Sequence, residues 1–325
     1  MPKRTIWYAT TRARDPGTDG FGASPEEPPE RLWSGFARCT PAKAPEQEGV
    51  CHDHVTARPD APAKGLVETL RDWTSDDGAL PLLFVHGFNH GFRDALTRAA
   101  DLAAWLEGGE AKLRVAPLVF TWPSDGVQSI AAYKADRRDA ASAALGFAVL
   151  LRAVSALRLK AERRPVLLAH SMGVFATRCG VQKVAPVLDA LRLPLFRAGL
   201  LMAGDDGADV FAASPSASES AGGLRPLSAL CGRVSVFFHR QDGVVRFVSG
   251  AINGGRRLGA DGPRPLADLP ANVSAQDVSA IVTMPAPWEA DTVPIGATTP
   301  DWIAHQYHRN HPEVRRMMLT ILAPA

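Results

Sequence analysis

The stretch 165-PVLLAHSMGVFATR-178 sets Ser171 between an apolar run and a segment of helical spacing. A serine there has two uses. Its hydroxyl can be a nucleophile on a sharp strand-to-helix elbow, where the residues two before and two after it must be small; here they are Ala169 and Gly173. It can equally cap the helix. Those five residues do not separate the two, so partners must be sought elsewhere in the chain. If Ser171 is a nucleophile, the Met172 N–H opens the helix and faces a developing oxyanion that the helix dipole favours. A second donor comes from the loop after an earlier strand. There 81-PLLFVH-86 runs into Gly87, whose freedom lets the Phe88 N–H turn toward the site.

A serine nucleophile needs a general base and an acid to orient it, in the chain order Ser, acid, His. Downstream of Ser171 stand His239, at a strand end, and His305, His308 and His311 in 303-IAHQYHRNH-311. The clustered three are candidates for the base, with a surface cluster or a metal site as alternatives; Asp301 and Glu313 complete no usual ligand motif. For the acid, Asp242 in 239-HRQDGVV-245 and Asp205 in 202-MAGDDGAD-209 each follow a strand. The later loop favours Asp242, and both also fit ordinary turn roles. Cys39, Cys51, His52 and His54 fit no zinc-finger spacing, and no metal or other cofactor is expected.

The elements that must hold these residues alternate. Strands are expected over 4–10, 81–86, 113–122, 164–170, 195–203, 232–239 and, last, 278–284. Helices are expected over 65–73, 92–106, 126–160, 172–185 and 312–322. Short continuous apolar runs read as strands buried on both faces. The alternation predicts a three-layer α/β fold with a mostly parallel central sheet and helices on both faces. One domain spans 1–325, with a Pro- and Gly-rich irregular excursion at about 13–64 that has room for a short hairpin, and long loops at about 204–230 and 250–300. Arg137 and Arg138 read as a solvated helix face. Trp122 and Trp288 could line an apolar pocket, although core packing is the stronger expectation.

The 325 residues carry a net charge of +2, with 46% hydrophobic and 22% charged, so no overall field favours nucleic acid. The longest apolar stretch, 140-AASAALGFAVLL-151, is too short to span a bilayer. No secretory signal is evident, and four scattered cysteines fit free thiols in a cytoplasmic protein. The oligomeric state is not legible.

Several motifs agree as a set: 8-YATTR-12, 84-FVHGFNHGF-92, 120-FTWPSDG-126, 133-YKADRRDA-140, 169-AHSMG-173, and His305 followed by Tyr307. With them the chain resembles a bacterial α/β-hydrolase family of unknown function. The resemblance implies that Ser171 is the nucleophile, His305 the base and Asp242 the acid, with Asp205 a second acid that shapes the site and His308 a rival for the base role. The resemblance does not give the substrate; the triad itself is read as that of a serine esterase acting on a small-molecule ester or acyl substrate. A thioesterase, amidase, peptidase or acyltransferase would use the same triad, and a hydrolase-like scaffold could bind without turnover. A nucleotide-binding reading is weakened by the absence of any Gly-rich phosphate motif.

Overall fold

The computed structural model describes residues 3–16, 20–41, 50–57, 62–108, 113–127, 129–214, 223–283 and 304–323; for 50–57 and 62–64 only the backbone is described. Eleven strands are present among these: β1 (Arg4–Thr10), β2 (Arg12–Arg14), β3 (Phe21–Pro25), β4 (Trp33–Thr40), β5 (Val50–Ala57), β6 (Leu80–Val85), β7 (Val115–Thr121), β8 (Val166–His170), β9 (Ala198–Met202), β10 (Val234–Phe238) and β11 (Val273–Asp277). Nine form one sheet in the order β11-β10-β9-β8-β6-β7-β1-β4-β5, and β2 pairs with β3 apart from it. Pairing is parallel from β11 to β1 and antiparallel for β1–β4 and β4–β5.

Every residue of β6 to β10 is buried, because helices cover both faces and leave no polar side to the strands. On one face lie α1 (Pro62–Trp73), α4 (Ala144–Ala156) and α5 (Met172–Val184), with Leu70, Phe147, Leu151 and Val181 in a shared core. On the other lie α2 (Phe92–Glu107) and the closing helix Pro312–Leu322, with Leu96, Leu102, Val314 and Met318. The chain leaves β6 for β7 on one side and returns to β8 on the other. A crevice therefore opens at the carboxyl ends of β6 and β8, the place where open α/β sheets bind ligands.

Three expectations need correction. The excursion after β1 is not irregular: β4 and β5 extend the main sheet by two antiparallel strands. Among the described residues the last strand is Val273–Asp277; of the strand expected over 278–284, residues 278–283 turn away, with Val278 N–H donating to Phe238 C=O at 3.0 Å, and residue 284 lies outside the described residues. The helical region expected over 126–160 breaks into α3 (Ile130–Ser142) and α4, bent by 44°. At the break the Ser142 hydroxyl donates to the Asp139 carbonyl at 2.8 Å, a local bond that competes with the helical ladder. No single helix among the described residues is long and apolar enough to cross a membrane.

Candidate active site

Ser171 follows β8 directly and precedes α5, with φ 53° and ψ −125°. A non-glycine residue there stores about 1–3 kcal/mol of strain. Its neighbours hold it. The Ser171 N–H donates to Met202 C=O at 3.0 Å, and the Ser171 C=O accepts from the Asp205 N–H at 3.0 Å. A Cβ at position 173 would come within 2.3 Å of the Val85 carbonyl oxygen, so only glycine lets α5 start this close to β6. The Ser171 side chain makes no cap bond to its helix.

Its Oγ instead lies 3.0 Å from His305 Nε2, and His305 Nδ1 lies 2.8 Å from Asp242 Oδ2. The other Asp242 oxygen accepts the Val245 N–H at 3.1 Å. Ser171, His305 and Asp242 are 5%, 7% and 0% exposed, so the chain of bonds runs through a largely dry setting. With Nδ1–H donating to the carboxylate, Nε2 is left free to accept the Ser171 proton.

The loop carrying His305 is anchored twice. Tyr307 Oη donates to Phe237 C=O at 3.1 Å and accepts from Ala203 N–H at 2.9 Å, which bridges the ends of β9 and β10. His170 Nε2 lies 3.1 Å from the His305 carbonyl oxygen. Burial, with His308 and His305 close by, pulls His170 well below the usual imidazole range, so it donates there as a neutral ring. His308 is no rival base: it is buried against His170, with ring centroids 4.1 Å apart, and bonds neither Ser171 nor Asp242. Burial also removes His305 and His308 from the surface cluster, while His311 is half-buried. His239 packs at its strand end, bonded to Val282 C=O at 2.8 Å.

The backbone at Gly87 passes against the nucleophile, since a Cβ there would sit 3.0 Å from the Ser171 Cβ. Among the described residues neither the Phe88 nor the Met172 N–H has a protein acceptor. What fixes this loop was not assigned from sequence. The fully buried Arg12 donates to His90 C=O at 2.7 Å, to Ser124 C=O at 3.0 Å and to Thr121 Oγ1 at 2.9 Å. Burial lowers its guanidinium to about 9, with Asp136 pulling the other way, so it keeps its charge at neutral pH. Asp136 accepts from Ser124 Oγ, from Asp125 N–H at 3.0 Å and from Asn89 N–H at 3.3 Å. The YAT-R, FN, WPS and KAD motifs are thus one brace around the 87–91 loop. The motifs were visible; their mutual contacts were not. Asp125, Asp136 and Asp139 could bring ligand atoms within 4.8 Å of one another, but those three bonds already engage both Asp136 oxygens.

Asp205 is buried in a different network. It accepts from Tyr133 Oη at 2.7 Å, from Ser249 Oγ, and from Arg257 Nη2 at 2.9 Å, and it pairs with Arg137 at 3.6 Å. Although burial opposes ionisation, the two arginines and two hydroxyls hold its carboxyl below the usual range. Arg137 is therefore not on a solvated face. Tyr133 also meets the Phe88 ring edge-on, with centroids 5.6 Å apart, so Asp205 supports the wall beside the loop. Ser249, with Asn253 and Arg257 from the region expected to be loop, joins this network. Trp122 is fully buried and stacks on His86 at 5.0 Å, as core rather than pocket lining. Trp288 and the side chains of Cys51, His52 and His54 lie outside the described residues.

No curated protein matches this sequence. Among solved structures, the chain is similar to an esterase/lipase from an uncultured bacterium, with 11% identity, 76% of this chain and 75% of that chain covered, and a TM-score of 0.33. A likeness that loose carries no argument. The sequence from 66 to 320 matches a family described as alpha/beta hydrolase of unknown function (DUF900), which agrees with the parallel sheet and its helical layers. The chain belongs to that family.

Proposed function

We propose that the protein is a serine hydrolase that cleaves a carboxylic ester through an acyl-enzyme. The observation that carries this reading is the bond chain from Ser171 Oγ through His305 to Asp242, assembled from three loops at one sheet edge. Ser171 Oγ attacks the acyl carbonyl as His305 Nε2 takes its proton. Asp242 holds the ring and faces the imidazolium charge. The Phe88 and Met172 N–H groups donate to the oxyanion of the tetrahedral intermediate, which is worth about 3 kcal/mol for each donor. His305 then returns its proton to the leaving alcohol. A water, deprotonated by the same ring, attacks the acyl carbon and releases the acid, restoring Ser171.

Intact mass after treatment with a fluorophosphonate tests this. Wild type is expected to gain one adduct, Ser171→Ala none, and His305→Ala one much more slowly. Esters, thioesters and amides sharing one acyl chain then separate esterase from its neighbours. An adduct that persists in Ser171→Ala sinks the assignment, and no adduct on folded wild type sinks the activated serine.

A further inference from the structure

At the opposite end of β8 from Ser171, the carboxyl end of α4 and the 185–195 connection border two adjoining open hollows, at which Arg152, Arg158 and Arg192 are exposed and Arg164 is half-buried. One, of about 290 Å³, is lined by Arg152, Arg158 and Arg192; the other, of about 90 Å³, by Arg158, Arg164 and Arg192. Ser155 lies in the floor of both. Apolar side chains complete the walls, Val187 and Leu191 in the larger and Leu159 in the smaller. Among the described residues none of these four guanidinium groups has an ion pair or a hydrogen-bond partner. Glu162 and Asp189, the acids of the same segments, line neither hollow.

Two ordinary explanations fall short. Basic residues near a helix carboxyl end complement its dipole, but that partial charge is about half an elementary unit, and four full charges far exceed it. Solvated arginines need no special backbone, yet Arg158 adopts φ +56° immediately after the helix cap Leu157. Glycine is the residue that takes that position without strain. Among the described residues the other non-glycine positions at positive φ are Ser171, Asn89 and Ala203, all at the carboxyl edge of the sheet. The Arg192 N–H donates to Ser155 Oγ at 2.8 Å, which fixes the two segments against each other and shapes the hollow.

We propose that this concave surface binds a small, soluble polyphosphate compound with an apolar or aromatic portion. Planar guanidinium forks match phosphate oxygens in pairs. The Leu and Val walls receive the rest of the molecule. The site lies a full strand length from Ser171, so its ligand is not the hydrolysed substrate, and the inference does not rest on the reading of that serine.

Calorimetric titration of the full chain with tripolyphosphate and with ATP, at low and at physiological ionic strength, tests it. Both are expected to bind, ATP more tightly because its base meets the apolar wall. Affinity should fall as salt rises. The double variant Arg158→Gly/Arg192→Gln should lose about tenfold or more in affinity, from two charge-assisted bonds. Arg158→Gly alone should match or exceed the wild-type melting temperature without ligand, because the left-handed strain is relieved, while its binding weakens. Opposite signs on stability and affinity are not what a merely structural arginine gives. Absence of binding at low salt, undiminished binding in the double variant, or retention on anionic-lipid vesicles without binding of tripolyphosphate would each overturn the proposal.

Discussion

Asp205 and Asp242 stand a few residues past the ends of neighbouring parallel strands, and both are buried. Their surroundings set them apart. Asp205 meets Arg257 and Arg137 and accepts two hydroxyl bonds, so its charge is already balanced by fixed groups. Asp242 has no Lys or Arg pair among the described residues; its partners are one backbone N–H and His305. A carboxylate neutralised by two permanent cations has little charge left for an imidazolium, whereas one without them stabilises that cation when it forms. The same residue type at equivalent strand ends is a brace in one place and, in the mechanism proposed above, a ring-orienting acid in the other.

Asp242→Asn should cost most in turnover. The amide leaves packing intact but disfavours the needed imidazole tautomer, and kcat should fall by about 10⁴-fold against a simple ester while the melting temperature hardly moves. Asp205→Asn should reverse that pattern. It leaves Arg257 buried without its carboxylate and should destabilise the fold by about 3 kcal/mol, read by urea unfolding, with at most about a tenfold loss of kcat well below the melting point. If the two variants lost turnover equally under those conditions, the distinction would collapse.

Acid titration sharpens it further. The Asp205 carboxyl is held below its ordinary range in the folded state, so its contribution to stability is present above that range and is lost as pH falls through the folded value. Stability of Asp205→Asn, measured by unfolding across this range, should therefore fall less steeply on acidification than that of wild type. Tyr133→Phe should have the smallest effect. It removes one bond to Asp205 and one from Asn253, for about 1–2 kcal/mol, and keeps the edge contact with Phe88. A loss as large as that of Asp205→Asn would move the centre of the network from the carboxylate to the phenol.

How much was legible follows the physics of each element. β6 to β10 are short apolar runs buried on both faces, and a one-dimensional pattern suffices to find them. β11 reads VSAQD, an edge strand half open to water, while the neighbouring VSAIVT of 278–283 carries the apolar signal of a strand and turns instead. β4 and β5 were missed for a related reason. They pair antiparallel at the sheet margin, and β4 alternates only weakly between buried and exposed positions.

The residues able to do nucleophilic chemistry, and their order along the chain, were determined by the sequence alone, because a strand, a sharp turn with Gly173 and a helix are local events. Which acid faces His305, why His308 does not face Ser171, and what Arg12 and Asp136 brace were decided only by tertiary structure. Those contacts join residues far apart in the chain through strand order and crossovers. A carboxylate's partners, unlike its strand, leave no periodic trace in the sequence.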